Sequence, residues 1–167
     1  MTGGVTLSFW ELIFLAIAPA FVGGLIAVAS GVVGPWWLEA RKEIADKKRK
    51  RAEKFEELVG AVYEHEHWLE IKRDIRAYGS EGDIKLSPLA KIAAISAVYF
   101  PVFGKKISEL IVASLGYEVW MSKAAMERLK GNAAGMEEGL TEAYGPYIKA
   151  HNELLDELKK YARENLQ

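Results

Sequence analysis

The chain has 167 residues, half of them hydrophobic, and its 22 Lys and Arg nearly balance its 23 Asp and Glu. This composition excludes a disordered or collagen-like chain and suits one ordinary domain beside any targeting segment. The absence of cysteine excludes a disulfide framework, a cysteine-ligated zinc site and a thiol nucleophile. Charge is distributed unevenly: residues 1–38 carry only Glu11, whereas residues 39–54 carry eight basic and four acidic side chains.

A long uncharged run dominates the N-terminal part of the chain. Residues 12–38 contain 27 residues without a charge, and about 20 helical residues suffice to cross the hydrocarbon core of a bilayer. Trp10 stands at one end and Trp36 with Trp37 at the other, which is typical of aromatic anchors at the two membrane interfaces. We therefore predict a single transmembrane helix over 12–38, preceded by a short extracytoplasmic segment, 1–11.

Two other interpretations fit this run less well. Ala27-Val28-Ala29 fits a signal-peptide cleavage site, but no basic residue precedes the run, which is about twice the length of an ordinary signal-peptide apolar region. A buried core helix is also disfavoured, because a soluble core of this size rarely covers so long an uncharged helix on every side.

Small residues recur four positions apart within the predicted span. Such spacing lets helix backbones approach closely in lipid, where packing rather than hydrophobic burial drives association. We therefore predict that the span associates with copies of itself, forming a homo-oligomer. The residues expected at this contact are Ala16, Ala20, Gly23, Gly24, Ala27 and Gly31.

The basic segment 39–54 predicts the orientation of the chain. Lys and Arg concentrate on the cytoplasmic side of membrane helices, so we expect the N-terminus outside and the C-terminal domain inside, at the inner (cytoplasmic) membrane. Anionic headgroups attract a basic run close to the bilayer. No aromatic residue is interleaved with these charges, so we expect no nucleic-acid partner. The residues expected to contact lipid headgroups are Arg41, Lys42, Lys47, Lys48, Arg49, Lys50 and Arg51.

Residues 38–78 contain no proline and a single glycine, Gly60, which predicts one helix of about 40 residues. The polar segment 79–83 should end it. The expected core-facing positions shift partway along the helix and do not form a sustained heptad repeat. They are Phe55, Leu58, Val59 and Val62, followed by Trp68, Ile71, Ile75 and Tyr78.

Three further helices are indicated downstream. Ser87 and Pro88 predict an N-cap and first helical residue, and Pro101 should end that helix. The next helix should stop at Lys130-Gly131. A helical pattern restarts at Met136, and Gly145-Pro146 predicts a break before a final helix. We therefore predict an all-α domain over 55–167, an antiparallel bundle of three or four helices that continues from the membrane helix.

The sequence Glu64-His65-Glu66-His67 is the only cluster of metal-ligand residue types. A di-iron bundle needs a second such pair from another helix, and Leu69 occupies the second histidine position of a zinc-protease motif. We therefore expect His65 and His67 to be ordinary helix residues. We expect no metal and no cofactor, and without a phosphate-binding loop or a serine-nucleophile turn we expect no enzyme.

These features predict a single-pass, membrane-anchored interaction or scaffold protein whose cytoplasmic bundle binds a protein partner. Exposed aromatics such as Trp68, Trp120 and Tyr147 would anchor that contact, although core packing is an alternative for each. A second hypothesis is a membrane-acting effector or toxin, in which clustered spans permeabilise the membrane under control of the cytoplasmic domain. A helical-bundle enzyme or metal protein is the third and weakest.

Overall fold

The computed structural model of the chain describes residues 34–166, and every regular element in this range is helical. The prediction of an all-α domain is therefore confirmed. The predicted transmembrane segment lies outside the described residues apart from 34–38. The helices are α1 (Gly34–Arg76), α2 (Leu89–Tyr99), α3 (Gly104–Leu129), the one-turn α4 (Ala133–Met136) and α5 (Leu140–Asn165), with a 3₁₀ turn at Pro101–Phe103.

The chain divides into two units, Met1–Arg49 and Lys50–Gln167. In the first, the described part is the start of α1. Lys47 pairs with Glu43 at 2.7 Å, and Arg49 pairs with Asp46 at 3.2 Å. The two residues of each pair lie one helical turn apart and support the helix locally, although exposed pairs of this kind contribute little to stability.

The second unit is a four-helix bundle in which consecutive long helices alternate in direction. The Lys50–Arg76 part of α1 runs parallel to α3, since His65 meets Ser114 and Lys72 meets Glu118 further along. Helix α5 runs the opposite way, because His151 lies beside Glu66 while the later Tyr161 stacks on the earlier Phe55. Helix α2 also runs opposite to α1: Lys85, just before it, meets Trp68, and Lys91 meets Glu57.

Two of the predicted helix ends are confirmed, and the start of α2 lies one residue later than predicted. The N-cap is Pro88 rather than Ser87, and α2 begins at Leu89, whose amide donates to the Ser87 hydroxyl at 3.3 Å. Helix α2 ends before Pro101, because Phe100 leaves the helical conformation with φ −139°. Helix α3 ends before Gly131, whose φ of +76° is readily adopted only by glycine.

The predicted break at Gly145-Pro146 is wrong. Helix α5 begins after Gly139, which has a φ of +75°, and continues through Pro146. An internal proline costs one backbone hydrogen bond and about 3 kcal/mol. The face that follows it buries large side chains in the bundle, and each contributes about 1.5–3 kcal/mol. That burial therefore outweighs the local preference for a break. The buried residues of this face are Tyr147, Ala150, His151, Leu154, Leu155 and Leu158.

The core-facing row of α1 does not shift as predicted. Ile71 and Tyr78 are 38% and 46% exposed, whereas His65 and Leu69 are buried. The row keeps an unbroken spacing of 3-4-3-4 residues because a histidine occupies one of its core positions, and a count of apolar residues alone misses that position. This row, called the α1 row below, consists of Phe55, Leu58, Val62, His65 and Leu69.

Candidate functional site

The predicted lipid-contacting residues all lie on α1, and all are exposed. Arg51 differs from the others in one contact: its guanidinium lies over the rings of Phe100 and Tyr161, 5.7 and 5.9 Å from their centroids. Such a cation–π contact is worth about 0.5–1 kcal/mol at an exposed site. The last basic residue is therefore held against the bundle, and headgroup contact by the run stays a prediction.

The residues predicted to associate within the span, and Trp10, lie outside the described residues. Trp36 and Trp37 belong to the first turn of α1, and their anchoring role stays a prediction. Within residues 34–166, none of the helices is both long enough and apolar enough to cross a membrane.

The three aromatic side chains proposed as partner anchors belong to the bundle itself. Trp120 and Tyr147 are 3% and 2% exposed. Trp68 is partly buried, and its indole N–H donates to the Lys85 carbonyl at 2.7 Å. Trp120 and Tyr147 are therefore packed in the core, which is the alternative interpretation. Trp68 holds the connection that follows α1 against that helix.

The residues of the Glu64–His67 cluster face different environments. His65 is fully buried, whereas His67 is exposed with its Nδ1 3.7 Å from a Glu70 carboxylate oxygen. Among residues 34–166, no three carboxylate or imidazole side chains are placed to share a metal ion. The cluster is thus divided between the core and the surface.

A buried polar contact joins α1 to α3. His65 Nε2 lies 2.9 Å from Ser114 Oγ, and the Ser114 hydroxyl donates to the Leu110 carbonyl at 2.7 Å. Because that proton is already committed, the imidazole donates through Nε2, and its Nδ1 has no hydrogen-bond partner. The His65 ring stacks on Trp68, with centroids 5.7 Å apart.

The electrostatics of His65 fit a neutral, structural residue. The pKa of His65 is lowered to about 4, mainly by burial and to a smaller extent by His151 and Lys72. A serine beside a histidine resembles a nucleophile beside its base. Here, however, both side chains are fully buried and the serine proton points at a carbonyl. The pair therefore stabilises the contact between the two helices.

A second set of buried polar groups joins α5 to α1. His151 Nε2 lies 3.6 Å from a Glu66 carboxylate oxygen, and the His151 ring is flanked by those of Tyr63 and Tyr147. The Tyr147 hydroxyl is buried without a partner, and burial raises the pKa of that phenol. His151 is buried on the inner face of α5, and no sequence pattern indicates that it approaches Glu66.

The outer face of α3 carries an exposed apolar row that sequence reasoning missed. Its members recur at 3-4-3-4-3 spacing, and its five apolar side chains are between 54% and 79% exposed. Scattered exposed apolar residues are normal, but a contiguous set is typical of a contact surface. The spacing of these residues in the sequence could have indicated a second apolar face on this helix. This row, called the α3 row below, consists of Val112, Leu115, Val119, Ser122, Met126 and Leu129.

Shallow open grooves flank the α3 row on both sides. One lies between α3 and α5 and includes Gly116, Lys123 and Pro146. The other lies between α1 and α3 and includes Lys72 and Arg76. The row is therefore a ridge bordered by two depressions, a shape that can fit against another helix.

Comparison with protein-family models, with curated proteins and with solved structures finds no match. The function of the chain must therefore be inferred from its own residues.

Proposed function

We propose that this chain is a membrane-anchored interaction protein, held in the bilayer by residues 12–38 and presenting the α3 row to a protein partner. The α3 row is the observation that carries the proposal. Five apolar side chains on one exposed helix face lower solubility, and each of them is more than half exposed on the bundle. Their burial against a partner would remove that apolar surface from water.

The sequence supports the anchoring part of this proposal. The uncharged run of 27 residues is long enough for a span, and the basic residues that follow it favour a cytoplasmic bundle. In α1, the basic residues from Arg41 to Arg51 are exposed, and a surface of opposite charge would attract them.

The anchoring is tested by fractionation of cells that express the full chain. We expect it in the membrane pellet after alkaline carbonate washing and in solution only after detergent is added. Recovery of the intact chain in the supernatant without detergent would refute anchoring.

Orientation can be tested cleanly because the chain has no cysteine of its own. We expect an impermeant maleimide applied to intact cells to label Gly3→Cys and not Lys160→Cys, and both to be labelled after lysis. The reverse pattern would refute a cytoplasmic bundle.

The partner-binding part is tested by comparing Leu115→Glu with Lys159→Glu. Both sites carry exposed side chains, but only Leu115 lies in the α3 row. The full chain, purified in mild detergent, should migrate as a complex that Leu115→Glu disrupts and Lys159→Glu preserves. Migration of the unmodified chain as a monomer without a co-purifying protein would argue against an interaction protein.

The small-residue spacing in residues 12–38 supports a second candidate, a membrane-permeabilising effector. That function predicts loss of membrane potential on overexpression, and Gly24→Leu should abolish this loss because it blocks close helix approach. Harmless overexpression would eliminate this candidate and leave the interaction protein.

A further inference from the structure

We infer that the partner of the α3 row is a second copy of the chain, whose own α3 row packs against it in parallel and in register. The row follows the alternating spacing of three and four residues that places side chains at the a and d positions of a coiled coil. With Val112 at a, the a positions are Val112, Val119 and Met126, and the d positions are Leu115, Ser122 and Leu129.

Gly116, next to the row, supports close approach of another helix. It lies in the middle of α3 on the exposed side, and a Cβ added there would have nothing within 4 Å. A glycine inside a helix costs about 1 kcal/mol relative to alanine. No contact within the bundle requires a glycine there. A neighbouring backbone packed against the row would use the space that Gly116 leaves.

The charges that flank the row favour the parallel arrangement. Glu118 occupies a g position and Lys123 the following e position. In a parallel, in-register pair, each g position faces the next e position of the other helix. Glu118 of each copy would therefore face Lys123 of the other, giving two opposite-charge contacts. Glu118 is held in place by Lys72, 2.5 Å away.

The membrane setting of the pair rests on the proposed function, whereas its parallel direction is argued from the g and e charges. Two copies anchored in one bilayer are confined to the same membrane surface, where they meet at a raised local concentration. The bundle contact would then reinforce any association of the spans, because tethering raises the effective concentration of the second contact.

Disulfide trapping in membranes tests both contact and direction. In a parallel, in-register pair, the two copies of any a position, such as Val112, or of any d position, such as Leu129, lie close enough for a disulfide. We expect Val112→Cys alone and Leu129→Cys alone each to form covalent dimers under mild oxidation. Mixed bonds between the two variants should not form, because 17 helical residues separate the positions by about 26 Å. Asn152→Cys, exposed on α5, controls for random collision and should not cross-link.

Several outcomes would overturn the inference. Cross-links only between Val112→Cys and Leu129→Cys would show an antiparallel pair. Equal cross-linking of Asn152→Cys would show collision alone, and no cross-link in chains recovered from the membrane would refute the contact. Failure of the proposed function is distinguishable: self-cross-linking of Val112→Cys in chains recovered from the supernatant would refute the anchor while supporting in-register pairing.

Charge reversal gives a second measurement. Lys123→Glu places a carboxylate opposite Glu118 of the other copy, and we expect the Val112→Cys cross-linking yield to fall about threefold. Adding Glu118→Lys should restore it, and Lys159→Glu should leave it unchanged. An unchanged yield in the Lys123→Glu variant would contradict the parallel register.

Discussion

The α1 row and the α3 row have the same spacing but opposite surroundings. The α1 row includes a histidine and is buried inside the bundle, whereas the α3 row is richer in aliphatic side chains and is exposed. Periodicity therefore identifies an apolar helix face, but not whether the other helices of the chain bury it. A face within the bundle can accept a polar residue that finds a partner, as His65 finds Ser114. The apolar α3 row is left outside the bundle, and it is the face that we propose another molecule covers.

The largest expected difference between the rows is in the free energy of unfolding. Leu58→Ala leaves a cavity in a fully buried site and should destabilise the bundle by about 3 kcal/mol. Leu115→Ala should change it by less than about 0.5 kcal/mol when the measurement is made at a protein concentration low enough to dissociate the complex. Chemical unfolding followed by far-ultraviolet circular dichroism measures both. Equal effects would contradict the assignment of the two rows.

The pH dependence of stability sharpens the comparison through His65. Because burial lowers the pKa of folded His65 from its usual 6.5 to about 4, the unfolded chain takes up a proton at this site first as the pH falls. Stability should be full above pH 6.5 and decline from there towards pH 4, by at most about 3 kcal/mol.

Two histidine variants check that His65 causes this decline. His65→Gln should flatten the dependence between pH 6.5 and 4. The exposed His67→Gln should keep it. A decline of the same size in both variants would assign it to other groups.

Two serines on α3 provide a matched test of smaller size. Both hydroxyls donate to the carbonyl four residues earlier, but only Ser114 also meets His65. Ser114→Ala should cost about 1–2 kcal/mol because it leaves the buried imidazole N–H unpaired. Ser122→Ala should cost less than about 0.5 kcal/mol. Unfolding at pH 8 measures both, and a larger loss for Ser122→Ala would contradict the inward orientation of His65.

The smallest expected effect separates two exposed helical glycines. Gly60 in α1 and Gly116 in α3 both have open space where a Cβ would lie. Alanine at either site should stabilise the bundle by about 0.5–1 kcal/mol through helix propensity. Only Gly116→Ala should also lower the Val112→Cys cross-linking yield. Equal yields in the two alanine variants would argue against close helix approach at Gly116.

The sequence predicted the helical class and most helix ends because these depend on local signals. Proline after Phe100 and glycine after Lys130 act through backbone geometry within a few residues. The course of α5 through Pro146 was not predictable in this way. It depends on how much surface Tyr147 and the residues after it bury against other helices, which no local signal reports.

The features of the candidate site also differ in whether they depend on local sequence signals or on packing between helices. The spacing of the α3 row is visible in the sequence, but whether the other helices of the bundle cover that face is not. The approach of His151 to Glu66 depends on the packing of α5 against α1 and leaves no sequence signature. The predicted association face in residues 12–38 lies outside the described residues and stays a prediction.

The stacked rings between α3 and α5 give the bundle its own optical signature. Trp120 lies 5.5 Å from Tyr117 at an interplanar angle of 9°, and Tyr117 lies 5.8 Å from Tyr147 at 15°. The transition dipoles of rings this close couple strongly. The native chain should therefore show a near-ultraviolet circular dichroism signal in the aromatic band, at about 280 nm. Separation of the two helices would remove the Tyr117–Tyr147 contribution to this signal even where each helix stays intact, so the signal reports tertiary packing and not helix content.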